Sequence, residues 1–270
     1  MQFILYCFIL IHLSLTSEAR DIYLFRSLNK PVKDYDDLVL QIKKGDRIYF
    51  SNGKYFEIDQ RIGVGGTTMI FSNNRQPNVA IRIAKSSQWT IFIKFTNAGY
   101  DLLKSNDVES VKVLAGYGNE FSIVEKINQH QTLYDFISEA NAFYQKSMLA
   151  QLTKRTEKNE IKNKLSKLED FILSSFQFES IADLHDKNLI YDFQNKKWMV
   201  MDWSYPHRML TNYDSQKSTI DSLLIKYIQR IETIYYPKSK KYIWILNWAN
   251  QVNEKMQFKR SKICQKVFYN

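Results

Sequence analysis

Apolar positions along the chain change their period near Gln131, and the two halves predict different kinds of structure. Upstream, Leu38, Leu40 and Ile42 alternate with polar residues, then Ile48 and Phe50. A Ser51-Asn52-Gly53 turn follows, then Tyr55, Phe56 and Ile58. Residues Leu38 to Arg61 therefore predict hairpin strands. Ile62-Gly63-Val64-Gly65-Gly66 comes next, with a strand from Thr67 to Ser72, a polar loop at Asn73 to Asn78, and a strand from Val79 to Lys85. Residues Thr90 to Lys104 have helical spacing through Phe92, Phe95, Leu102 and Leu103. Strands at Val111 to Leu114 and Glu120 to Ile127 complete an order of three strands, a helix and two strands.

Beyond Gln131 the spacing is helical almost throughout. Leu133, Phe136, Ile137 and Phe143 predict one helix. Ile161, Leu165, Leu168, Ile172 and Phe176 trace one stripe on another, with Lys158, Lys162, Lys164 and Lys167 between them expected to face solvent. A strand pair, Leu189 to Tyr191 and Trp198 to Met201, flanks a turn at Asn195-Lys196-Lys197. Helices near Thr219 to Tyr235 and Lys241 to Met256 close the chain. Strands gathered ahead of helices predict an α+β fold.

The first residues do not belong to that pattern. Phe3 to Leu15 form an apolar run broken mainly by His12, and Ser17-Glu18-Ala19 follows as a small-x-small cleavage site before Arg20. Residues 1–19 thus read as a secretory signal peptide, with a retained membrane anchor as the alternative. The run is shorter than the roughly 20 apolar residues that span a bilayer, so no stable membrane span is expected after cleavage. Removal of residues 1–19 takes Cys7 with it and leaves Cys264 alone, so the mature chain can close no internal disulfide. There is no N-x-[ST] acceptor either. Together these suggest a bacterial secreted protein, with another cell's cytosol as one place of action.

The remaining 20–270 stretch is long enough for one bilobed domain and too short for two large ones. A formal charge of +10 favours acidic partners, whether nucleotides, phospholipid head groups or nucleic acid, although a lysine-rich solvated surface is the simpler explanation; of these, no nucleic acid partner is expected.

Three segments carry chemistry. A glycine turn between strands lets backbone amides approach phosphate, since residues without Cβ do not hold the chain away; Gly63, Gly65 and Gly66 meet that need, and also suit ordinary turn chemistry. Arg82, in Val79-Ala80-Ile81-Arg82, can bind phosphate bidentately. Lys85 is a second candidate, which alternation would direct to the opposite face. The third segment is Asp183-Leu184-His185-Asp186-Lys187-Asn188, followed by Asp202-Trp203 after the strand pair. Phosphoryl transfer needs a carboxylate to orient the attacking hydroxyl and take its proton, and oxygen ligands for Mg²⁺. Asp183 fits the first role, Asn188 and Asp202 the second.

The D-x-x-x-x-N segment, the strand pair and the closing D-W resemble the catalytic and metal loops of the protein-kinase-like superfamily. The D-L-H form is closer to its aminoglycoside phosphotransferase and choline kinase branch than to D-L-K protein kinases, and the size resembles minimal bacterial effector kinases. The resemblance implies a bilobed fold with an antiparallel-sheet N-lobe at about 38–127 and a mainly helical C-lobe at about 128–270. It also implies ATP and Mg²⁺ as cofactors, and a protein or small-molecule acceptor.

Several positions depart from the pattern. Arg82 stands where these kinases carry lysine, Thr68 replaces the third loop glycine, and Ile181-Ala182 replaces the pair before the aspartate. No Glu occurs between Arg82 and Lys104, where Asp101 is the nearest acid and Asn97 lies closer to the expected position. No A-P-E follows Asp202, so activation-loop regulation is not expected. Three readings stay open: an active exported kinase, a pseudokinase that binds nucleotide or a partner without turnover, and another chemistry on the same fold, such as nucleotidyl transfer. His185 reads as a loop histidine, the aromatic series Tyr227 to Trp248 as core, and Cys264 as a spectator thiol.

Overall fold

The computed structural model describes residues 19–149, 155–175, 187–203 and 243–268. The chain divides into two compact units, one comprising residues up to Lys94 with Val113–Lys126, the other Phe95–Lys112 with Ile127 onward. The fold is α+β.

The first unit is built on a seven-stranded sheet of β1 (Asp21–Tyr23), β4 (Arg47–Tyr49), β5 (Tyr55–Val64), β6 (Thr68–Asn73), β7 (Val79–Ala84), β9 (Phe121–Glu125) and β8 (Val113–Tyr117), in that spatial order. Only β1 and β4 pair in parallel; the other neighbours are antiparallel. A small separate pair, β2 (Phe25–Ser27) and β3 (Lys30–Pro31), follows β1. Alternation along each strand sends Ile48, Phe56, Ile58, Met69, Phe71, Ile81 and Ile83 into one buried cluster. The Asn52-Gly53 turn between β4 and β5 forms as the spacing predicts. Gly53 adopts φ +78° and donates its N–H to the Phe50 carbonyl at 3.0 Å.

One predicted strand is a helix instead. Leu38, Leu40 and Ile42 suggest a period of two, but Tyr35–Leu40 form α1. The residues that decide it are Tyr35 and Val39, four apart and both buried, whereas Leu40 is 65% exposed. Asp36 and Asp37 in the first turn suit the positive end of a helix. The Tyr35 hydroxyl donates to the Ala84 carbonyl at 3.1 Å, fixing α1 to the end of β7. Strands β1 to β3 had no counterpart in the apolar pattern. They are three residues or shorter, below the length at which alternation can be read.

Helix α2 (Thr90–Ser105) follows a single 3₁₀ turn at Ser87–Trp89. The second unit contains α3 (Leu133–Leu149), α4 (Arg155–Ser174), α5 (Ile243–Phe268) and a three-stranded antiparallel sheet of β10 (His130–Thr132), β11 (Leu189–Asp192) and β12 (Lys197–Val200). The α4 stripe is buried as predicted at Ile161, Leu165, Leu168 and Ile172, and Phe176 lies outside the described residues. Lys164, expected in solvent, is buried at 4% exposure. Its position three residues after Ile161 puts the stem on the stripe. The ammonium is satisfied by Gln131 Oε1 at 3.0 Å and Glu160 Oε1 at 3.1 Å, with the Phe193 ring centroid 4.7 Å away. The last helix runs further than predicted, with Ile245, Ala249, Val252 and Met256 buried. The helix expected near Thr219 to Tyr235 falls outside the described residues. Among the described residues no helix is long and apolar enough to cross a membrane.

Candidate functional site

In the first unit the glycine turn is the tip of the β5–β6 hairpin. Val64 pairs with Met69, and the Gly65 N–H donates to the Thr68 carbonyl at 2.8 Å, leaving Gly66 and Thr67 as the two tip residues. None of Gly63, Gly65 and Gly66 adopts a left-handed φ. A Cβ on Gly66 would meet no atom within 4 Å, and one on Gly63 or Gly65 only ordinary contacts, the nearest at 3.4 and 3.5 Å. Neither backbone conformation nor packing calls for glycine here, so a bare turn suits close approach of a ligand.

Arg82 lies at the centre of one register row. Gly63 pairs with Ile70, Ile70 with Arg82, Arg82 with Ser122, and Ser122 with Gly116. Arg82 thus belongs to the same row as the glycine that opens the turn, two strands away. Arg82 is 6% exposed. Ile81 and Ile83 on either side join the apolar cluster, so Arg82 presents the opposite face. Lys85 is half-buried and sits just past the strand, not within it. Its N–H donates to the Thr67 carbonyl at 2.9 Å, which ties its backbone to the tip of the glycine turn.

The second unit holds the other candidates. Asp183, with Leu184 and His185, lies outside the described residues. Asn188 and Asp202 flank the β11–β12 hairpin. Leu189 pairs with Val200, and the Met201 N–H donates to the Asn188 carbonyl at 2.8 Å, so Asp202 follows one residue beyond the position facing Asn188. The hairpin brings together at one end two residues that are far apart in sequence. Asn188 is buried and Asp202 half-buried. The turn at the far end is held by Asp192, which accepts from the Gln194 N–H at 2.9 Å, with Lys196 at φ +52°.

Asp202 is braced by its neighbour. Its Oδ1 accepts the Trp203 N–H at 2.9 Å, and the indole Nε1 donates to the Thr96 carbonyl on α2 at 3.0 Å. Trp203 is 3% exposed and stacks at 6.2 Å from Tyr100. It sits directly on Gly99, where a Cβ would stand 2.7 Å from Trp203 Cδ1 and 2.9 Å from Nε1. In the sequence Trp203 stands out only as part of the D-W pair, and Gly99 belongs to no motif. A glycine inside a helix costs about 1 kcal/mol relative to alanine, so its presence midway along Thr90–Ser105 was the available signal.

One carboxylate and one amide oxygen at a hairpin end are hard-oxygen donors. Such a sparse set fits Mg²⁺, which keeps several waters and completes its octahedron with substrate phosphate oxygens. A carboxylate offers about four lone-pair sites, of which the bond from Trp203 uses one.

No known protein-family profile matches the chain, and no curated protein matches it in sequence. Solved structures similar to it include a choline/ethanolamine kinase family protein from Mesorhizobium loti, at 14% identity over 54% of this chain and 57% of that one, with a TM-score of 0.29. Another is the choline kinase LicA from Streptococcus pneumoniae, at 11% identity over 72% of this chain and 74% of that one, with a TM-score of 0.37. The chain spans little more than half the length of the first and about three quarters of the second. What the site does is therefore read from this chain's own residues.

Proposed function

We propose that the chain is an ATP- and Mg²⁺-dependent kinase that transfers the γ-phosphoryl group to a hydroxyl of a protein or small-molecule acceptor. The observation that carries this reading is the β11–β12 hairpin, whose register sets Asn188 and Asp202 at one end immediately downstream of the Asp183 segment. Mg²⁺, when bound by Asn188 and Asp202, neutralises charge on the phosphates. Amides of the Gly63–Gly66 turn and the Arg82 guanidinium, or Lys85, hold the nucleotide's phosphate oxygens. Asp183 orients the acceptor hydroxyl and takes its proton as the new oxygen–phosphorus bond forms. The bond from phosphorus to the bridging oxygen breaks, and ADP leaves with that electron pair.

A second reading, nucleotide binding without turnover, is favoured by the composition of α2. That helix contains no glutamate, and its one acid, Asp101, is exposed. Incubating the protein with Mg²⁺ and γ-labelled or α-labelled ATP separates the two. Transfer of the γ label is expected; binding without transfer supports the second reading, and transfer of the α label alone points to nucleotidyl transfer. Calorimetry should show ATP affinity that depends on Mg²⁺ and loses that dependence in Asp202→Ala. Equal Mg²⁺ dependence in both proteins would remove Asp202 from the metal site.

A further inference from the structure

Arg20 directly follows the Ser17-Glu18-Ala19 segment, and both polar groups of its backbone are already engaged. Its N–H donates to Asp46 Oδ1 at 3.0 Å, and its carbonyl accepts the Arg47 N–H at 2.8 Å. Its guanidinium turns on the same carboxylate, with Nη2 at 2.8 Å from Oδ2 and Nε at 3.5 Å from Oδ1. The Lys43 N–H donates to Oδ2 at 3.1 Å. Asp46 is completely buried. Burial alone would push its carboxyl up, but the bonds from the Arg20 side chain and from the Arg20 and Lys43 amides outweigh it and hold the group below the usual carboxylate range.

We propose that proteolytic removal of residues 1–19 makes Arg20 the first residue of the working protein, and that its new α-ammonium pairs with buried Asp46 to lock the edge of the sheet. In that hydrolysis the Ala19–Arg20 amide bond breaks. Water supplies the oxygen of the new Ala19 carboxylate, and the Arg20 nitrogen takes up protons to become an ammonium. The catalyst is a peptidase that cuts after small-x-small. One neutral N–H becomes a cation with three hydrogens at a nitrogen that already sits at hydrogen-bond distance, so no rearrangement of β1 is needed. Charge-assisted bonds are shorter and roughly twice as strong as neutral ones.

Two independent observations meet at this one bond. The cleavage pattern in the sequence ends at Ala19, and the nitrogen on its far side is the one directed at a buried carboxylate. A cut one residue earlier would leave a neutral amide opposite Asp46. A cut one residue later would remove the guanidinium that shares the carboxylate. The inference is independent of phosphoryl transfer and stands or falls separately from it.

The first test is the N-terminal sequence and intact mass of the protein exported from cells expressing the chain with residues 1–19 in place. Arg20 as first residue is expected; a different start, or an uncut chain, overturns the proposal. The second compares two purified chains, one starting at Arg20 and one at Ala19. At pH 7 the Arg20 chain should melt about 2–4 °C higher. A carboxylate partner raises the α-amine above its ordinary value of about 8, so this advantage is complete below that pH and disappears as pH rises through the folded value. The other charges nearby, on the Arg20 guanidinium, Lys43, Lys44, Asp21, Arg47 and Asp59, are common to both chains and cancel, while the longer chain carries its α-ammonium on Ala19 and keeps a neutral Arg20 amide opposite Asp46, so the gap reads where that charge sits. Equal melting at pH 7, or a gap that persists at high pH, overturns the α-ammonium pairing. Asp46→Asn should abolish the gap, and if that variant does not fold, the two-chain comparison still decides.

Discussion

The glycine turn of the first unit and the hairpin end of the second are made by opposite means. At the turn, three glycines stand where the fold tolerates a side chain, and a Cβ on Gly66 would meet nothing. Against the hairpin end, Gly99 stands where a Cβ would press into Trp203, at 2.7 Å from its Cδ1. One region is kept bare, the other packed tight. The proposed function asks different things of the two regions. Phosphate oxygens are large and diffuse acceptors that need open backbone, whereas a metal ion demands ligands fixed to within a few tenths of an ångström.

The largest effect expected is on chemistry. Asp183→Asn should lower single-turnover transfer by about 10²–10⁴-fold while ATP affinity stays near its original value, because binding energy comes from the turn, the cation and the metal ligands. Rapid-quench measurement of labelled product beside equilibrium ATP binding tests both halves. Transfer at the original rate would remove Asp183 as base. Absence of transfer in both proteins, with any biological effect retained, would shift the reading to a binding module.

Next comes the brace. Gly99→Ala forces a Cβ to within 2.7 Å of the indole, and overpacking of that kind costs about 1–3 kcal/mol even though alanine is the better helix former. Thermal melting should fall, and the Mg²⁺ concentration giving half-maximal ATP binding should rise, because Trp203 carries Asp202 with it. A double-mutant cycle sharpens this. In a Trp203→Ala background the same Gly99→Ala change should be neutral or stabilising. An additive result would mean that the two residues do not act through each other.

Nucleotide affinity divides the two cations of the first unit. Arg82→Ala should weaken ATP binding by about tenfold or more, the loss of a charged hydrogen bond being worth about 1.5–3 kcal/mol. Lys85→Ala should do less, since Lys85 lies beyond the strand and shares no register row with Gly63. The reverse ranking in calorimetry would assign the phosphate contact to Lys85.

What was legible in the sequence follows the length of each pattern. Strands β5, β6, β7 and β9 and the stripe on α4 are long enough for an apolar period to be read, the β11–β12 hairpin is marked by two apolar runs around a polar turn, and each formed. Strand β1 spans three residues and makes its parallel pairing with β4 through tertiary context, so no local period could announce it. Helix α1 departs from the apolar pattern because its two anchors, Tyr35 and Val39, are outnumbered by apolar residues that stay at least partly exposed. Lys164 departs from it because a charged residue carries an apolar stem that packs. In the candidate site, spacing singles out Asn188 and Asp202, and the hairpin between them sets both at one end. The brace was not readable, since the contact between Gly99 and Trp203 joins positions with no local relation.

The smallest expected change in stability is at the turn, and it is the one that turns the contrast between the two glycines into a measurement. Gly66 has no left-handed φ, and a methyl placed on it would have no neighbour within 4 Å, so Gly66→Ala should leave the melting temperature unchanged or raise it slightly. Alanine narrows the unfolded ensemble, an effect worth about 0.4–1 kcal/mol where the native backbone accepts it. ATP affinity should nonetheless fall, because the methyl stands where phosphate oxygens must approach the amides. Gly99→Ala predicts the inverse pattern, with stability lost first and metal dependence altered as its consequence. Calorimetry and melting curves on the two variants therefore form a crossed pair. Unchanged ATP affinity in Gly66→Ala would mean that the bare turn serves the hairpin alone, and the phosphates would then have to be held by Arg82 or Lys85 without it.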